Sequence, residues 1–299
     1  MSDKVWLASY PKSGNTWIRM MIGCLALKDG EMPDINQTPI RDGISSARFP
    51  FDSLTMIDSG LLTHDEIDAL RPQVYAQMLH NGEDNPDDDA ADVGPMRFAK
   101  VHDAYTRNAA GEPLLAGARG AKCAIVIVRD PRDVVPSLAN HNRTPIDAAI
   151  NFMNNPASAY CDRSDRQHIQ LRQILRDWSG HVASWLDQSD LPVHLVRYDD
   201  LKRDAAGTLL AALRFAGYPI TPDAAARAAA LADFQTLQAQ ERETGFSEWR
   251  NHEAREKLFF RRGISDAWRD ELTAEQVQRI EAAHAPMMRR LGYKLSKVE

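Results

Sequence analysis

The chain opens on a short apolar run, Val5-Trp6-Leu7-Ala8-Ser9, followed by a loop over residues 10–15 that carries a proline and a glycine. Apolar side chains recur at helical spacing over residues 16–27, so the first unit reads strand, loop, helix. Residues 28–62 read as irregular, with Pro33, Pro39, Pro50 and several glycines. Thr63-His64-Asp65-Glu66 has the form of a capping box and opens a helix. Residues 81–93 are acidic and broken by proline and glycine, which predicts a solvated loop. Residues 96–101 and 123–128 predict two more strands. The second, Cys-Ala-Ile-Val-Ile-Val, is continuously apolar, which suits a strand covered on both faces of a parallel sheet. Residues 133–142 predict a helix, and a longer one is expected over 165–186, where Trp178, Val182 and Trp185 share a core-facing stripe. Residues 193–197 predict a strand, and 201–216 and 221–231 predict helices. An irregular polar stretch follows before Thr273-Ala274-Glu275-Gln276 opens the last helix.

Strands alternating with helices predict an α/β fold with a mainly parallel sheet flanked by helices. No repeat or long linker divides the 299 residues, and one domain over 1–299 is expected. The formal net charge of −6 argues against a broad nucleic-acid or anionic-membrane surface, and neither partner is expected. It leaves room for an anionic ligand, which responds to local charge. Cys24, Cys123 and Cys161 have no spacing for a disulfide framework or a zinc site, and the first two lie in apolar segments that predict core positions. No apolar run reaches membrane-spanning length, and Val5 to Ser9 is too short for a signal-peptide core, so a reducing cytoplasm is expected.

The candidate chemistry starts in the first loop. Tyr10-Pro11-Lys12-Ser13-Gly14-Asn15-Thr16-Trp17 joins a strand to a helix, where backbone amides and the positive end of the helix dipole converge. Gly14 permits close approach of an anion, Ser13, Asn15 and Thr16 add side-chain donors, and Lys12 adds a full charge. In context alone the loop fits a phosphate cradle and an ordinary turn with an exposed lysine about equally. It is not a nucleotide triphosphatase loop, in which the lysine follows the second glycine.

As spelled, the loop resembles the phosphosulfate-binding loop of the sulfotransferase family, with Asn15 where many members carry threonine. Arg129-Asp130-Pro131-Arg132-Asp133-Val134-Val135-Pro136-Ser137 is similar to that family's second cofactor motif, in which an arginine and a serine eight positions on hold a 3′-phosphate. Phe259-Phe260-Arg261-Arg262-Gly263, with Trp268 beyond, resembles the C-terminal element that clamps the same phosphate. Tyr198-Asp199-Asp200-Leu201 resembles the segment near the adenine. The four motifs follow in family order from end to end of the chain.

The resemblance implies a P-loop-kinase-like architecture and 3′-phosphoadenosine 5′-phosphosulfate as donor, with adenosine 3′,5′-bisphosphate as product and no metal. Two anionic ends require two anion sites on separate segments, and the arginine fork suits a terminal phosphate. Arg129 after a strand, with Ser137 in the next helix, also fits the rule that ligands sit at the carboxyl edge of such sheets. Out of context Arg129 fits an ion pair with Asp130 or Asp133. Trp17 offers a face for adenine, and by resemblance Phe234 closes the other side, simple packing being the alternative.

Sulfuryl transfer resembles phosphoryl transfer, so a cation is needed at the bridging oxygen and a base at the acceptor. Lys12 is the cation. Lys100-Val101-His102-Asp103 resembles the family's Lys-Thr-His element, whose histidine is the general base, and an imidazole titrates near neutral pH. Val101 replaces the usual threonine, and Asp103 is the alternative base. By resemblance Ser137 also engages Lys12 before the acceptor arrives, although Pro136 just ahead of it is expected to affect the helix start. His181 and His194 lie in regular elements and read as structural, while His64, His80, His141, His168, His252 and His284 offer no comparable context. A small-molecule kinase and a non-catalytic nucleotide sensor stay open as alternatives. The partner is a small-molecule acceptor of unassigned class, its pocket shaped by the irregular segments 33–62, 142–165 and 235–258. The C-terminal residues 292–299 lack the family's eukaryotic dimerisation motif, so a homodimer is left open.

Overall fold

A computed structural model describes residues 4–37, 44–78, 96–249 and 258–296. The acidic stretch 81–93, His80 and His252 lie outside the described residues, as do parts of the segments 33–62, 235–258 and 292–299. In chain order the first elements are β1 (Lys4–Ser9), α1 (Asn15–Cys24), α2 (Arg48–Thr55), α3 (His64–Gln77), β2 (Arg97–Val101) and β3 (Cys123–Val128). Next come α4 (Pro131–Asn142), α5 (Ile146–Asn154), β4 (Ala159–Tyr160), β5 (Gln173–Ile174), α6 (Trp178–Leu186) and β6 (Val193–Arg197). The chain continues through α7 (Tyr198–Arg203), α8 (Ala205–Ala216), α9 (Pro222–Leu231), α10 (Phe234–Thr244), α11 (Trp268–Glu271) and α12 (Ala274–Arg290).

The main sheet runs β2-β1-β3-β6, and each of its three pairings is parallel. The alternation of side chains along a strand divides the core into two layers. Val5 and Leu7 of β1 join Ile125 and Ile127 of β3 in the layer packed against α1, α8 and α9. Trp6 and Ala8 join Val126 and Val128 in the opposite layer, against α4, α6 and α12. The continuous apolar run of β3 is buried throughout because both its faces are covered. Capping boxes start α3 at Thr63 and α12 at Thr273, as the sequence predicts.

Four expectations are corrected. The helix expected over 165–186 starts only at Trp178, where the Asp177 carboxylate accepts from the Gly180 amide. Ahead of it Leu171, Gln173 and Leu175 are buried and alternate with more open positions, a period of two. That segment includes β5, which pairs with β4. The helix expected over 201–216 is two, broken at Asp204, whose carboxylate caps α8 through the Gly207 amide. The segments read as irregular contain α2, α5 and α10, the last capped by Asp233. Pro136 sits inside α4; the helix starts at Pro131, with the Asp130 carboxylate accepting from the Arg132 amide.

The carboxyl ends of all four main strands lead into residues singled out above. The Lys12 loop follows β1, His102 follows β2, Arg129 follows β3 and Tyr198 follows β6. Parallel strands deliver these residues to one edge of the sheet, where ligands bind in folds of this kind.

Candidate active site

A cleft of about 910 Å³ opens at that edge. Its walls include Lys12, Gly14, Asn15, Thr16, Trp17, His102, Arg129, Ser137, Tyr198, Phe234, Phe260, Arg261, Arg262 and Gly263. The cofactor and catalytic residues named from the sequence therefore lie on one cleft, except Ser13, which is fully buried in the loop, and the alternative base Asp103. Eight lysines and arginines line the cleft against one carboxylate, Glu248, in a chain whose net charge is −6. That local excess selects an anion.

The first loop is bent by two left-handed residues, Lys12 at φ 70° and Gly14 at φ 104°. A Cβ on Gly14 would stand 2.7 Å from the Tyr198 ring, so close packing as well as backbone conformation requires glycine. Trp17 and Ile18 donate to the Gly14 carbonyl, and the preceding amides head α1 without intrahelical partners. The Ser13 hydroxyl is buried and has no protein partner. Asn15 has a different task from the one expected: its side-chain nitrogen donates to the Leu7 carbonyl at 2.8 Å and the Ser9 hydroxyl at 3.2 Å, tying the loop to β1.

Lys12 is half-buried, its Nζ 3.7 Å from the centre of the Phe259 ring. Burial, then the charges of Lys100 and Arg129, push its ammonium down to about 7. The Arg129 guanidinium lies 4.4 Å over the Tyr198 ring and donates to the Ile264 carbonyl at 3.2 Å, while its Nε is buried without a partner. Arg261 and Arg262 both bind the Glu271 carboxylate, so this acid holds the pair at the cleft wall. Gly263, at φ 61°, passes so close to Phe234 that a Cβ would meet the ring at 2.4 Å. Gly263→Ala is therefore expected to displace the Phe234 ring and weaken nucleotide binding about tenfold or more, as read by calorimetry; unchanged affinity would show that this packing does not shape the slot.

His102 is positioned through its ring. Its Nδ1 lies 2.8 Å from the Ser9 carbonyl oxygen, which only accepts, so Nδ1 carries the proton and Nε2 keeps its lone pair. Burial, then the Lys100 charge, holds the imidazole well below its ordinary pKa and therefore neutral. Asp103 faces elsewhere: it is fully buried, accepts from Arg71 at 2.9 Å and from the Ile174 amide at 3.1 Å, and does not line the cleft. His181, expected to be structural, is buried with its Nε2 3.1 Å from the His102 carbonyl.

Arg19, Glu248 and Lys202, at or beside the cleft, belong to no motif singled out in the sequence, where Lys100 is only the start of the His102 element. Lys100 lies 3.6 Å from Glu248, whose carboxylate also accepts from Arg19 at 2.9 Å. Lys202 sits 5.2 Å from the Trp17 ring and 5.6 Å from Phe234, a third cation beside the aromatic slot. Only the topology, which brings residues 19, 202 and 248 to one edge, could have found those three. Among the described residues no cluster of His, Cys, Asp or Glu forms a metal-binding group, and no helix is long and apolar enough to cross a membrane.

The fold and cleft define an α/β protein whose first loop and His102 meet in a cation-lined cleft at the carboxyl edge of its parallel sheet. The chain belongs to the sulfotransferase family, whose domain matches residues 2–292. It is 22% identical over 293 residues to sulfotransferase 2B1 of Mus musculus, covering 96% of this chain and 71% of that protein. It is 22% identical over 289 residues to flavonol 3-sulfotransferase of Flaveria bidentis, covering 93% of this chain and 80% of that one. It is 23% identical to luciferin sulfotransferase of Photinus pyralis, but spans only 50% of that protein's length. The fold is shared with mouse sulfotransferase SULT7A1 complexed with PAP, at 18% identity and TM-score 0.58 over 96% of this chain and 85% of the other. It is shared also with retinol dehydratase in complex with androsterone and PAP, at 17% identity and TM-score 0.59 over 99% and 82%.

Proposed function

We propose that this sulfotransferase carries a sulfuryl group from 3′-phosphoadenosine 5′-phosphosulfate to a hydroxyl or amine of a small acceptor, with His102 as base and Lys12 as the stabilising cation. The observation that carries the mechanism is the pairing of a neutral imidazole, its Nδ1 proton fixed on the Ser9 carbonyl, with a half-buried lysine on the same cleft. Support for the donor comes from the PAP complexes of two structures with this fold and from the cleft's own residues. The orphaned Ser13 hydroxyl and Arg129 Nε, both buried, and the excess of cations fit a ligand with two anionic ends.

In this reading the α1 amides, Ser13 and Thr16 hold the 5′ end; Arg129, Ser137, Arg261, Arg262 and Gly263 hold the 3′-phosphate. Trp17, Tyr198, Phe234 and Phe260 surround the base. When bound, the nucleotide supplies an activated sulfuryl group on a good leaving phosphate. His102 Nε2 takes the acceptor proton, and Lys12 places its charge where negative charge grows as the bond to the leaving oxygen breaks. Ser137 lines the same cleft as Lys12 and can engage it before the acceptor enters. A cytoplasmic setting is part of the reading, supported by three cysteines that form no disulfide, two of them buried.

Calorimetry tests the donor first: adenosine 3′,5′-bisphosphate is expected to bind without Mg²⁺ and ATP much more weakly. Dependence on ATP and Mg²⁺ instead would favour a kinase. Transfer of labelled sulfate then separates an enzyme from a sensor. Arg129→Ala is expected to weaken the 3′-phosphorylated nucleotide by about 1.5–3 kcal/mol and scarcely affect adenosine 5′-phosphosulfate. Equal weakening of both nucleotides would remove Arg129 from 3′-phosphate recognition.

A further inference from the structure

Resting on the sulfuryl-transfer reading, we infer that the acceptor is a polyhydroxylated, sugar-class compound and that Gln173 is the residue that selects it. The cleft wall next to the base is built from Asn142, Gln167, His168, Gln170 and Gln173, with Ile44 and Ile169 as apolar neighbours. This wall is fastened to the His102 end of β2. The Ile174 amide donates to the Asp103 carboxylate at 3.1 Å, and the Ala104 amide donates to the Ile174 carbonyl at 2.7 Å. Leu171 donates to the Ser46 carbonyl at 2.7 Å, while Ile44 pairs with Lys100. Gln173 is therefore held on the strand fastened to the residues that follow His102, on the same cleft.

Its side chain is 1% exposed, lines the cleft and uses one amide atom, donating from Nε2 to Gln170 Oε1 at 2.7 Å. The other atom, Oε1, is buried without a partner, and so is His168 Nε2 on the same wall. A buried amide oxygen left unbonded is costly, and a donor on the ligand relieves it. A hydroxyl fits better than any other group. It both donates and accepts, so it satisfies Gln173 in either orientation of the amide pair. A monohydric phenol or sterol has only the hydroxyl that gives its proton to His102 and accepts the sulfuryl group, and would leave this wall desolvated and unpaired. A sugar brings a second hydroxyl on the adjacent carbon.

The test uses the full-length enzyme and ³⁵S-labelled 3′-phosphoadenosine 5′-phosphosulfate, with methyl β-galactoside and N-acetylglucosamine set against 2-naphthol and p-nitrophenol. Sugar acceptors are expected to exceed the phenols in kcat/KM by about 100-fold or more, because a site built for a hydroxyl rejects an analogue lacking it. Gln173→Leu is expected to raise KM for the sugars about tenfold and to weaken calorimetric binding of methyl β-galactoside to the enzyme saturated with adenosine 3′,5′-bisphosphate by about the same factor. The same variant is expected to leave kcat/KM for 2-naphthol unchanged, and Gln173→Glu, which keeps an acceptor oxygen, to restore part of the sugar affinity. Nucleotide affinity is measured alongside as the check that each variant is folded. Preference for the phenols, or normal nucleotide binding with sugars neither sulfated nor bound, overturns the inference alone. Failure of the wild-type enzyme to bind adenosine 3′,5′-bisphosphate overturns the sulfuryl-transfer reading and this inference with it.

Discussion

His102→Ala is expected to lower turnover by about 10²–10⁴-fold while leaving the affinity for adenosine 3′,5′-bisphosphate close to normal. The imidazole meets the protein through Nδ1 on the Ser9 carbonyl at 2.8 Å, so its removal opens a space without freeing a charge. The loop proposed to bind nucleotide, held to β1 through Asn15 and Leu7, does not depend on it. The pH profile gives a second readout. The proposed mechanism needs the neutral imidazole, and burial with the nearby Lys100 charge holds its pKa well below the usual value. The loss in acid should therefore set in below about pH 6.5, the ordinary histidine pKa, rather than at it. An alanine variant with turnover within a few-fold of wild type would assign the proton to another group.

Asp103 supplies the contrast. Its carboxylate accepts from Arg71 and the Ile174 amide in a site with no exposure, so Asp103→Asn is expected to destabilise the fold. Removing the negative partner of a buried ion pair costs about 3–5 kcal/mol. Thermal denaturation should show the loss, while turnover per folded molecule stays near wild type. A normal melting temperature with lost turnover would return Asp103 to the mechanism.

How much of this was legible in the sequence depended on how local each signal is. The loop between β1 and α1 was legible because strand, bend and helix are contiguous, and the Tyr-Pro-Lys-Ser-Gly-Asn-Thr-Trp spelling is specific. The capping boxes at Thr63 and Thr273 were legible for the same reason. Residues 165–177 were not. Their charged residues hide a period of two that becomes plain only when Leu171, Gln173 and Leu175 are seen buried together. The polar helix α10 was missed because few apolar positions mark its buried side, although Asp233 signals its start. At the site, Asp103 stood as the alternative to His102 because it too follows β2. Its partner Arg71 lies 32 residues upstream in α3, and no spacing rule links them. The Asn15 side chain was misassigned for a related reason: spacing placed it in the loop, but only the fold shows it turned to β1.

Lys12→Ala is expected to lower kcat by about a hundredfold or more, with a smaller change in nucleotide affinity, because the charge it opposes grows only in the transition state. The lysine also sets a pH dependence whose sign follows from its surroundings. Burial and the charges of Lys100 and Arg129 push its pKa down to about 7 in the free enzyme. An anionic ligand favours the protonated amine, so binding raises that pKa and takes up a proton. Affinity for adenosine 3′,5′-bisphosphate should then be complete below pH 7 and fall by up to about tenfold per pH unit above it, until the pKa of the complex is passed. The affinity of the wild-type enzyme, measured by calorimetry in two buffers of different ionisation enthalpy, gives both the slope and the proton uptake. Lys12→Arg is the control. A guanidinium stays charged across this range and should flatten the slope, although its planar fork does not restore full turnover. If the slope above pH 7 persists in the arginine variant, the titrating group is not Lys12, and Lys100, also depressed by burial, becomes the candidate.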